Sequence, residues 1–279
     1  MLYVCATPIG NLQDVTERAI ETFKKADIIA CETITQTKKL MNCYEISSPI
    51  LFSYREDNKE KASKYLIEEL KKGKNVVIVS DAGVPAISDP GAQLVNEALD
   101  NNIEVTPIPG ASAVMSALSV SGFNADSFLF LGFLPRKNTK REKIYKEIEN
   151  STRTIIFFEA PHRILDTLFE IKTYIKERKI CICREITKKF EEIKRDYPNQ
   201  LIEYFSQLKE IKGEFSIVIE GRNEEIEDEI DEDKIKNMIK ELLLQNIHPK
   251  EIAKKISNEM NISKREIYNM VIKEKNEIQ

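Results

Sequence analysis

Four consecutive β-formers, Val76-Val77-Ile78-Val79, run into Ser80-Asp81-Ala82-Gly83-Val84-Pro85-Ala86-Ile87-Ser88-Asp89-Pro90-Gly91. Residues 92–99 then resume with helical spacing. No other stretch constrains the fold as much. A strand that is apolar without alternation is buried on both faces. The loop behind it holds two Asp, two Gly and two Pro, and so cannot continue the strand. In open α/β sheets, ligands bind in the crevice beyond the carboxyl ends of the strands. Residues 80–91 are therefore a candidate ligand loop.

The same alternation recurs. Residues 2–6, 27–32, 50–52 and 103–107 read as further strands, each followed by a loop and a helix. Thr16 caps the first helix, which reaches about Lys25. The pattern spans about 120 residues and predicts an α/β domain with a mainly parallel sheet. Gly122-Phe123-Asn124-Ala125 marks a junction. Beyond it, residues 128–132, 154–158, 179–184 and 216–220 read as strands of a second α/β domain. Its sheet is mixed, because some connections are too short for a crossover helix. Residues 220–233 are mostly Glu and Asp and read as an exposed linker. Three short amphipathic helices follow at 234–245, 249–259 and 263–273. The expected organisation is an N-terminal α/β domain (1–121), a C-terminal α/β domain (122–221), an acidic linker (222–233) and a helical module (234–279).

Several classes are disfavoured. No run of about 18 apolar residues exists, so no spanning helix is expected. The first residues lack a basic flank and enter a strand directly, unlike a signal peptide. The net charge of −4 does not mark a nucleic-acid binder, although global charge hides local basic surfaces. Of five Cys, Cys5, Cys31, Cys181 and Cys183 lie in apolar strand-like runs, which suits free buried thiols in a reducing cytoplasm. Cys181 and Cys183 fall on one strand face, a spacing for neither a redox pair nor zinc. With only two His, a His-rich metal site is excluded and no metal is expected.

Loops 7–14, 32–37, 53–58, 80–91 and 107–112 all follow strand ends and converge on one sheet edge. None carries G-x-G-x-x-G or G-x-x-x-x-G-K-[ST], so neither a dinucleotide fold nor a P-loop is supported. The lining is Gly, Pro, Ala and Ser with few charges. It suits a compact neutral or zwitterionic ligand held by backbone groups.

Seven motifs in order carry a family resemblance. They are Thr7-Pro8-Ile9-Gly10-Asn11-Leu12 with Asp14; residues 80–91; and Pro107-Ile108-Pro109-Gly110-Ala111-Ser112-Ala113. The others are Gly132-Phe133-Leu134-Pro135-Arg136-Lys137, Phe158-Glu159-Ala160-Pro161-His162-Arg163, Arg184-Glu185-Ile186-Thr187-Lys188 and Gly213-Glu214-Phe215. Together they resemble the tetrapyrrole methylase superfamily, and within it the members that act on ribosomal RNA. The resemblance runs from Leu2 to about Glu220, and the C-terminal three-helix module matches too.

This resemblance implies a class III S-adenosylmethionine-dependent methyltransferase fold: two α/β domains with the cofactor in the cleft between them, and a small C-terminal helical module. It implies 2′-O-methylation of a cytidine in the decoding region of 16S ribosomal RNA in the small subunit, by a homodimer. Carried over by position, the cofactor is lined by Pro8, Asp81, Ala82, Gly83, Val84, Ile87, Ser112 and Ala113, and by Phe158, Ile186 and Phe215 from the second domain. A weakly acidic ribose hydroxyl benefits from a base or a polarising cation. The catalytic candidates are Glu159, Glu185 and Lys188, with His162, Arg163 and Arg184 nearby. Glu159 and Glu185 equally suit structural pairing with Arg163 or Lys188. Arg136, Lys137, Lys140, Arg141 and Arg163 are the candidates for RNA contact, since phosphate neutralisation supplies most nucleic-acid affinity. A solvated helix face explains the same residues.

Two segments depart from the family pattern. After the second strand it carries Glu-Asp-Thr-Arg, and here the run is Glu32-Thr33-Ile34-Thr35. Where it carries His-Glu-His-Asn, this chain has Arg55-Glu56-Asp57-Asn58. Arg55 is the candidate for the missing cation. The departures leave two alternatives to RNA methylation open: a small-molecule methylase acting on a tetrapyrrole precursor, and a ribosome-binding homologue with impaired catalysis.

Overall fold

The computed structural model describes residues 1–175, 177–223, 232–245, 247–260 and 263–278. The acidic 222–233 segment lies mostly outside them. The described chain divides into two compact units, Met1–Arg222 and Asn223–Gln279.

The first unit holds two five-stranded sheets. In the first, β1 (Leu2–Cys5), β2 (Ile28–Cys31), β3 (Ile50–Ser53), β4 (Val76–Val79) and β5 (Val105–Ile108) run parallel in the order β3-β2-β4-β1-β5. The unalternating apolar runs have a direct structural counterpart. Leu2, Ile28, Ala30, Val76 and Ile78 point to one face, under α3 (Lys59–Lys71) and α4 (Ala92–Asp100). Cys5, Ile29, Cys31, Val77 and Val79 point to the other, under α1 (Glu17–Lys25) and α2 (Ile34–Cys43). Thr16 caps α1, its hydroxyl accepting from the Ala19 amide at 3.1 Å. Strand β5 begins two residues later than the sequence pattern predicts and includes Pro107. It is an edge strand, the position where a proline without an N–H is tolerated.

The second sheet is mixed, as expected. It comprises β6 (Phe128–Phe133), β7 (Thr154–Glu159), β8 (Ile180–Arg184), β9 (Glu192–Asp196) and β10 (Phe215–Ile219), in the order β6-β7-β10-β8-β9. Only β6 and β7 pair in parallel. Strand β9, sequence EIKRD, has no apolar signature because it is a half-exposed edge strand. Helices α6 (Asn138–Asn150), α7 (Ile164–Ile175) and α8 (Pro198–Ser206) cover one face through Ile155, Phe157, Ile182 and Ile217. Helix α5 (Ala113–Ser121) covers the other, packing Val114, Ala117 and Leu118 on Ile156, Cys181 and Val218. Thus the last helix of the first half completes the core of the second.

All five cysteines are free, and all but Cys43 are buried. Cys181 and Cys183 share a face with sulfurs 3.9 Å apart. Burial pushes the Cys5 thiol up to about 12, so it stays protonated and inert. Among the described residues, no cluster of His, Cys, Asp or Glu could hold a metal ion. No helix there is long and apolar enough to cross a membrane.

The second unit is a helical module of α9 (Glu232–Leu244), α10 (Pro249–Met260) and α11 (Lys264–Ile278) around Ile235, Ile239, Ile252, Ile256, Ile267 and Val271.

Candidate active site

The loops beyond the carboxyl ends of the first sheet meet the adjoining ends of β7, β8 and β10. Antiparallel pairing sets Phe215, at the start of β10, beside both Glu159 and Arg184. A cavity of ≈ 400 Å³ forms where the two sets of residues face each other. The first half supplies Ile9, Asp81–Val84, Ile87–Asp89 and Ser112–Val114. The second supplies Phe133, Phe158–Pro161 and Gly213–Ser216.

The loop after β4 is held in shape by its backbone. Gly83 has φ +81° and forms an isolated bridge with Thr7, with amide-to-carbonyl distances of 2.9 and 3.1 Å. Ala86 and Ser88, which are not glycines, sit at φ +68° and +65°. Such conformations cost on the order of 1–3 kcal/mol each and gather at binding sites. Two seams join the halves around the cavity. Gly10 lies against residues 186–188, where an added Cβ would stand 2.4 Å from Lys188 Cγ and 3.2 Å from the Ile186 carbonyl. There the Asn11 amide donates to Thr187 Oγ1 at 3.2 Å. The second seam sets Ser88 against Gly132, whose added Cβ would lie 3.2 Å from Ser88 Oγ.

The charge of the lining is distinctive. No Lys or Arg lines the cavity among the described residues, whereas Asp81, Asp89, Glu159 and Glu214 do. Burial pushes the Asp89 carboxyl above its ordinary value; a Ser80 hydrogen bond opposes this and the Asp81 charge adds to it. Burial also raises Glu32, helped by the charges of Asp81 and Asp89 against a bond from the Asp81 amide. Arg141 and Arg163 balance Glu159 and Lys188 balances Glu214, so Asp81 and Asp89 are the lining carboxylates without an ion pair among the described residues, a setting that suits a cationic ligand. A carboxylate with raised proton affinity also has the property a general base needs.

This arrangement predicts a pH signature. Asp89 binds its proton more tightly in the folded chain than in the unfolded one. Its contribution to stability is therefore complete below its ordinary value of 3.8 and is lost as pH rises through the folded value. Asp89→Asn should melt progressively higher than wild type as pH climbs through that interval. A melting difference independent of pH would show that Asp89 is not destabilised by its surroundings.

Nine of the eleven residues expected at the cofactor line the cavity. Pro8 instead borders a neighbouring hollow of ≈ 190 Å³ with Thr37, Lys39 and Asp81. Ile186 packs into the core beside α5. Sequence reasoning missed Ser88, Asp89 and Phe133 as lining residues. The first two lay within the quoted loop motif, so the signal was present.

The catalytic candidates fare differently. Glu159 is 1% exposed and fully engaged. It accepts from the Ala160 amide at 2.9 Å and Thr167 Oγ1 at 2.7 Å, and pairs with Arg163 at 3.3 Å and Arg141 at 3.5 Å. That set of four partners suits a structural role. Burial raises the Glu185 carboxyl, but bonds from Lys188 and the Glu214 amide outweigh this and hold it low. Burial lowers Lys188, but its bonds to Glu185 and Glu214 hold its proton more tightly than usual. Lys188 can polarise but is a poor base. His162 is exposed.

Two of the residues expected to contact RNA are engaged by the protein itself. Arg141 is buried, bonded to Thr167 at 2.9 Å and paired with Glu170 at 2.8 Å. Arg163 donates to the carbonyls of Leu134 and Pro135. Both guanidinium groups serve the interior. Arg136, Lys137 and Lys140 are exposed at the start of α6. Among the departing residues, Thr33 donates to the Asp81 carboxylate through its amide at 3.0 Å and its hydroxyl at 2.7 Å. Arg55 is clasped by Asp57 at 3.0 and 3.1 Å, so it is not a spare cation.

The model of the tetrapyrrole (corrin/porphyrin) methylases matches residues 1–198. A "ribosomal RNA small subunit methyltransferase I" from Halalkalibacterium halodurans is 42% identical over 272 residues, covering 96% of this chain and 93% of the relative. Its namesake from Bacillus subtilis is 42% identical, with 96% and 92% covered. Among solved structures, a diphthine synthase matches with TM-score 0.60 at 16% identity, covering 78% of this chain and 89% of that one. A cobalt precorrin-4 methyltransferase matches with TM-score 0.59 at 14% identity, covering 78% and 94%. At that identity the structures speak for the fold alone. The chain is thus a methyltransferase and belongs to the tetrapyrrole (corrin/porphyrin) methylase family, in the group of the ribosomal RNA small subunit methyltransferases I.

Proposed function

We propose that the protein methylates 16S ribosomal RNA in the small ribosomal subunit, with S-adenosylmethionine as donor and a cytidine ribose 2′-oxygen in the decoding region as acceptor. It does so as a homodimer in the cytoplasm. Near-full-length similarity to relatives named for this class of activity carries the reading. The cavity fits the donor. Its volume suits a ligand of that size, and its lining pairs apolar walls with carboxylates and no cation, matching a positively charged sulfonium and ammonium.

When bound, S-adenosylmethionine supplies an electrophilic methyl group, and the chain supplies placement. Gly83 and its neighbours present backbone to the ligand. Ile87, Phe158 and Phe215 supply apolar contact. Asp81 and Asp89 balance positive charge. Arg136, Lys137 and Lys140 are the cations offered to phosphates, while Lys188 is held by Glu185 and Glu214.

The test is incubation with labelled S-adenosylmethionine and small subunits from a strain lacking the activity. Label in a single cytidine ribose is the expected result. Label on a tetrapyrrole precursor instead of RNA overturns it. A second reading, a binding protein with impaired catalysis, draws on Thr33, Ile34 and Thr35. Tight subunit binding without transfer would establish it.

A further inference from the structure

Phe133 sits in the cavity wall, yet 60% of it is open to solvent. Its placement is built into the backbone. The pairing of β6 with β7 is regular from Phe128 to Phe130, then slips so that Phe133 faces Phe158. Gly132, at φ +62°, makes that slip. Bulges of this kind re-aim a side chain beside a functional site. Here the slip leaves the Phe133 ring tilted against Phe158, with centroids 5.4 Å apart. Ser88 packs against Gly132, whose added Cβ would lie 3.2 Å from Ser88 Oγ, and its φ of +62° also disfavours a side chain there. What sets Phe133 apart from other exposed apolar side chains is this backbone-fixed place at a cavity mouth, beside a second ring.

Charge identifies that partner. Three residues further on, Arg136, Lys137 and then Lys140 stand exposed, and no carboxylate pairs with them among the described residues. The cavity itself carries carboxylates and no cation. A phosphate chain finds unpaired positive charge at Arg136, Lys137 and Lys140, which follow Phe133 closely along the chain. An aromatic ring followed by unpaired cations is the arrangement that binds unpaired nucleotides, with the base on the ring and the backbone on the charges.

Resting on the RNA reading above, we infer that Phe133 is the platform on which the base of the accepting nucleotide stacks once it leaves its helix. Enzymes whose target atom must enter a closed pocket commonly swing the nucleotide out of its stack to deliver it. Stacking on Phe133 holds the base at the rim, with its ribose over the cavity and its phosphates along Arg136, Lys137 and Lys140.

The test measures methyl transfer to unmethylated small subunits by wild type, Phe133→Tyr, Phe133→Leu and Phe133→Ala, alongside S-adenosylmethionine affinity by calorimetry. Phe133→Ala should lose roughly 5- to 150-fold in kcat/KM for subunits, the loss of one base stack. Phe133→Leu, apolar but without a ring, should lose nearly as much. Phe133→Tyr should remain close to wild type. Melting temperature should hold in all three, and any loss of cofactor affinity should be smaller than the loss in kcat/KM for subunits. If Phe133→Leu matches wild type, or if cofactor affinity falls while subunit KM does not, Phe133 is only a wall of the cofactor cavity. If wild type itself transfers no label to subunits, the RNA reading falls and the platform falls with it. Transfer that is indifferent to Phe133 overturns the platform alone.

Discussion

Gly83→Val should weaken S-adenosylmethionine binding by at least about 100-fold while the chain still folds, equivalent to a loss of roughly 2.7 kcal/mol. Gly83 holds φ +81°, which is strained for any L side chain and most so for a β-branched one. The first added carbon meets no obstacle, since it would lie 3.4 Å from Ile9 Cγ2 and 3.8 Å from the Ala111 carbonyl. The penalty is therefore conformational before it is steric. Relief requires φ to change, which breaks both hydrogen bonds to Thr7 and shifts the cavity wall from Asp81 to Val84. The sheet is unaffected in its core, because β1 and β4 are packed by residues on other elements. Calorimetric titration with S-adenosylmethionine, beside a melting curve, reads both halves of the claim. Gly83→Ala should fall between, at about tenfold, since alanine shares the φ penalty without the branching. Unchanged affinity in the valine variant would reduce this loop to a turn.

Glu159→Ala should lower the melting temperature by on the order of 10 °C. Removing one member of a buried ion-pair network leaves uncompensated charge and typically costs about 3–5 kcal/mol. Each kcal/mol shifts the midpoint by roughly 2–4 °C in a unit of this size. Arg163 loses its one carboxylate among the described residues, and Arg141, whose side chain is 5% exposed, is left with Glu170 alone. Thr167 Oγ1 also loses its acceptor. Glu159→Gln keeps the shape and part of the bonding, so it should fall between the two. The competing role, general base, gives the opposite signature: Glu159→Gln would abolish transfer with little change in melting. Transfer by Glu159→Gln that tracks its folded fraction is the expected outcome.

The fold was legible where burial wrote a pattern into the chain. The runs at 28–31 and 76–79 are buried at every position, and their lack of alternation announced two covered faces. Strand β9 carried no such pattern, because an edge strand with exposed charge needs none. The site divides in the same way. The 80–91 and 112–113 loops were readable as strand-end loops, a matter of order along the chain. Phe133 also lay in one of the seven motifs, but its aim into the cavity was not readable, because it depends on a register slip against β7. Arg141 shows a signal present but overridden. It shares a helical face with Tyr145 and Ile148, at spacings of i+4 and i+7, and both are buried. Counting cations along 136–146 hid that phase. Thr33, noted only as a missing aspartate, proves to be a hydrogen-bond donor to Asp81, where a carboxylate would have faced a carboxylate.

The seams at Gly10 and Ser88 bear on kinetics. A body stitched in two separate places, with α5 keyed under the second sheet, has no single hinge about which its halves can swing. Its cleft stands ready before any ligand arrives, so little ordering entropy is lost on capture. Ligand residence time should then be governed by excursions of the 80–91 and 185–188 loops. Relaxation of those segments, rather than of the whole unit, should keep pace with turnover.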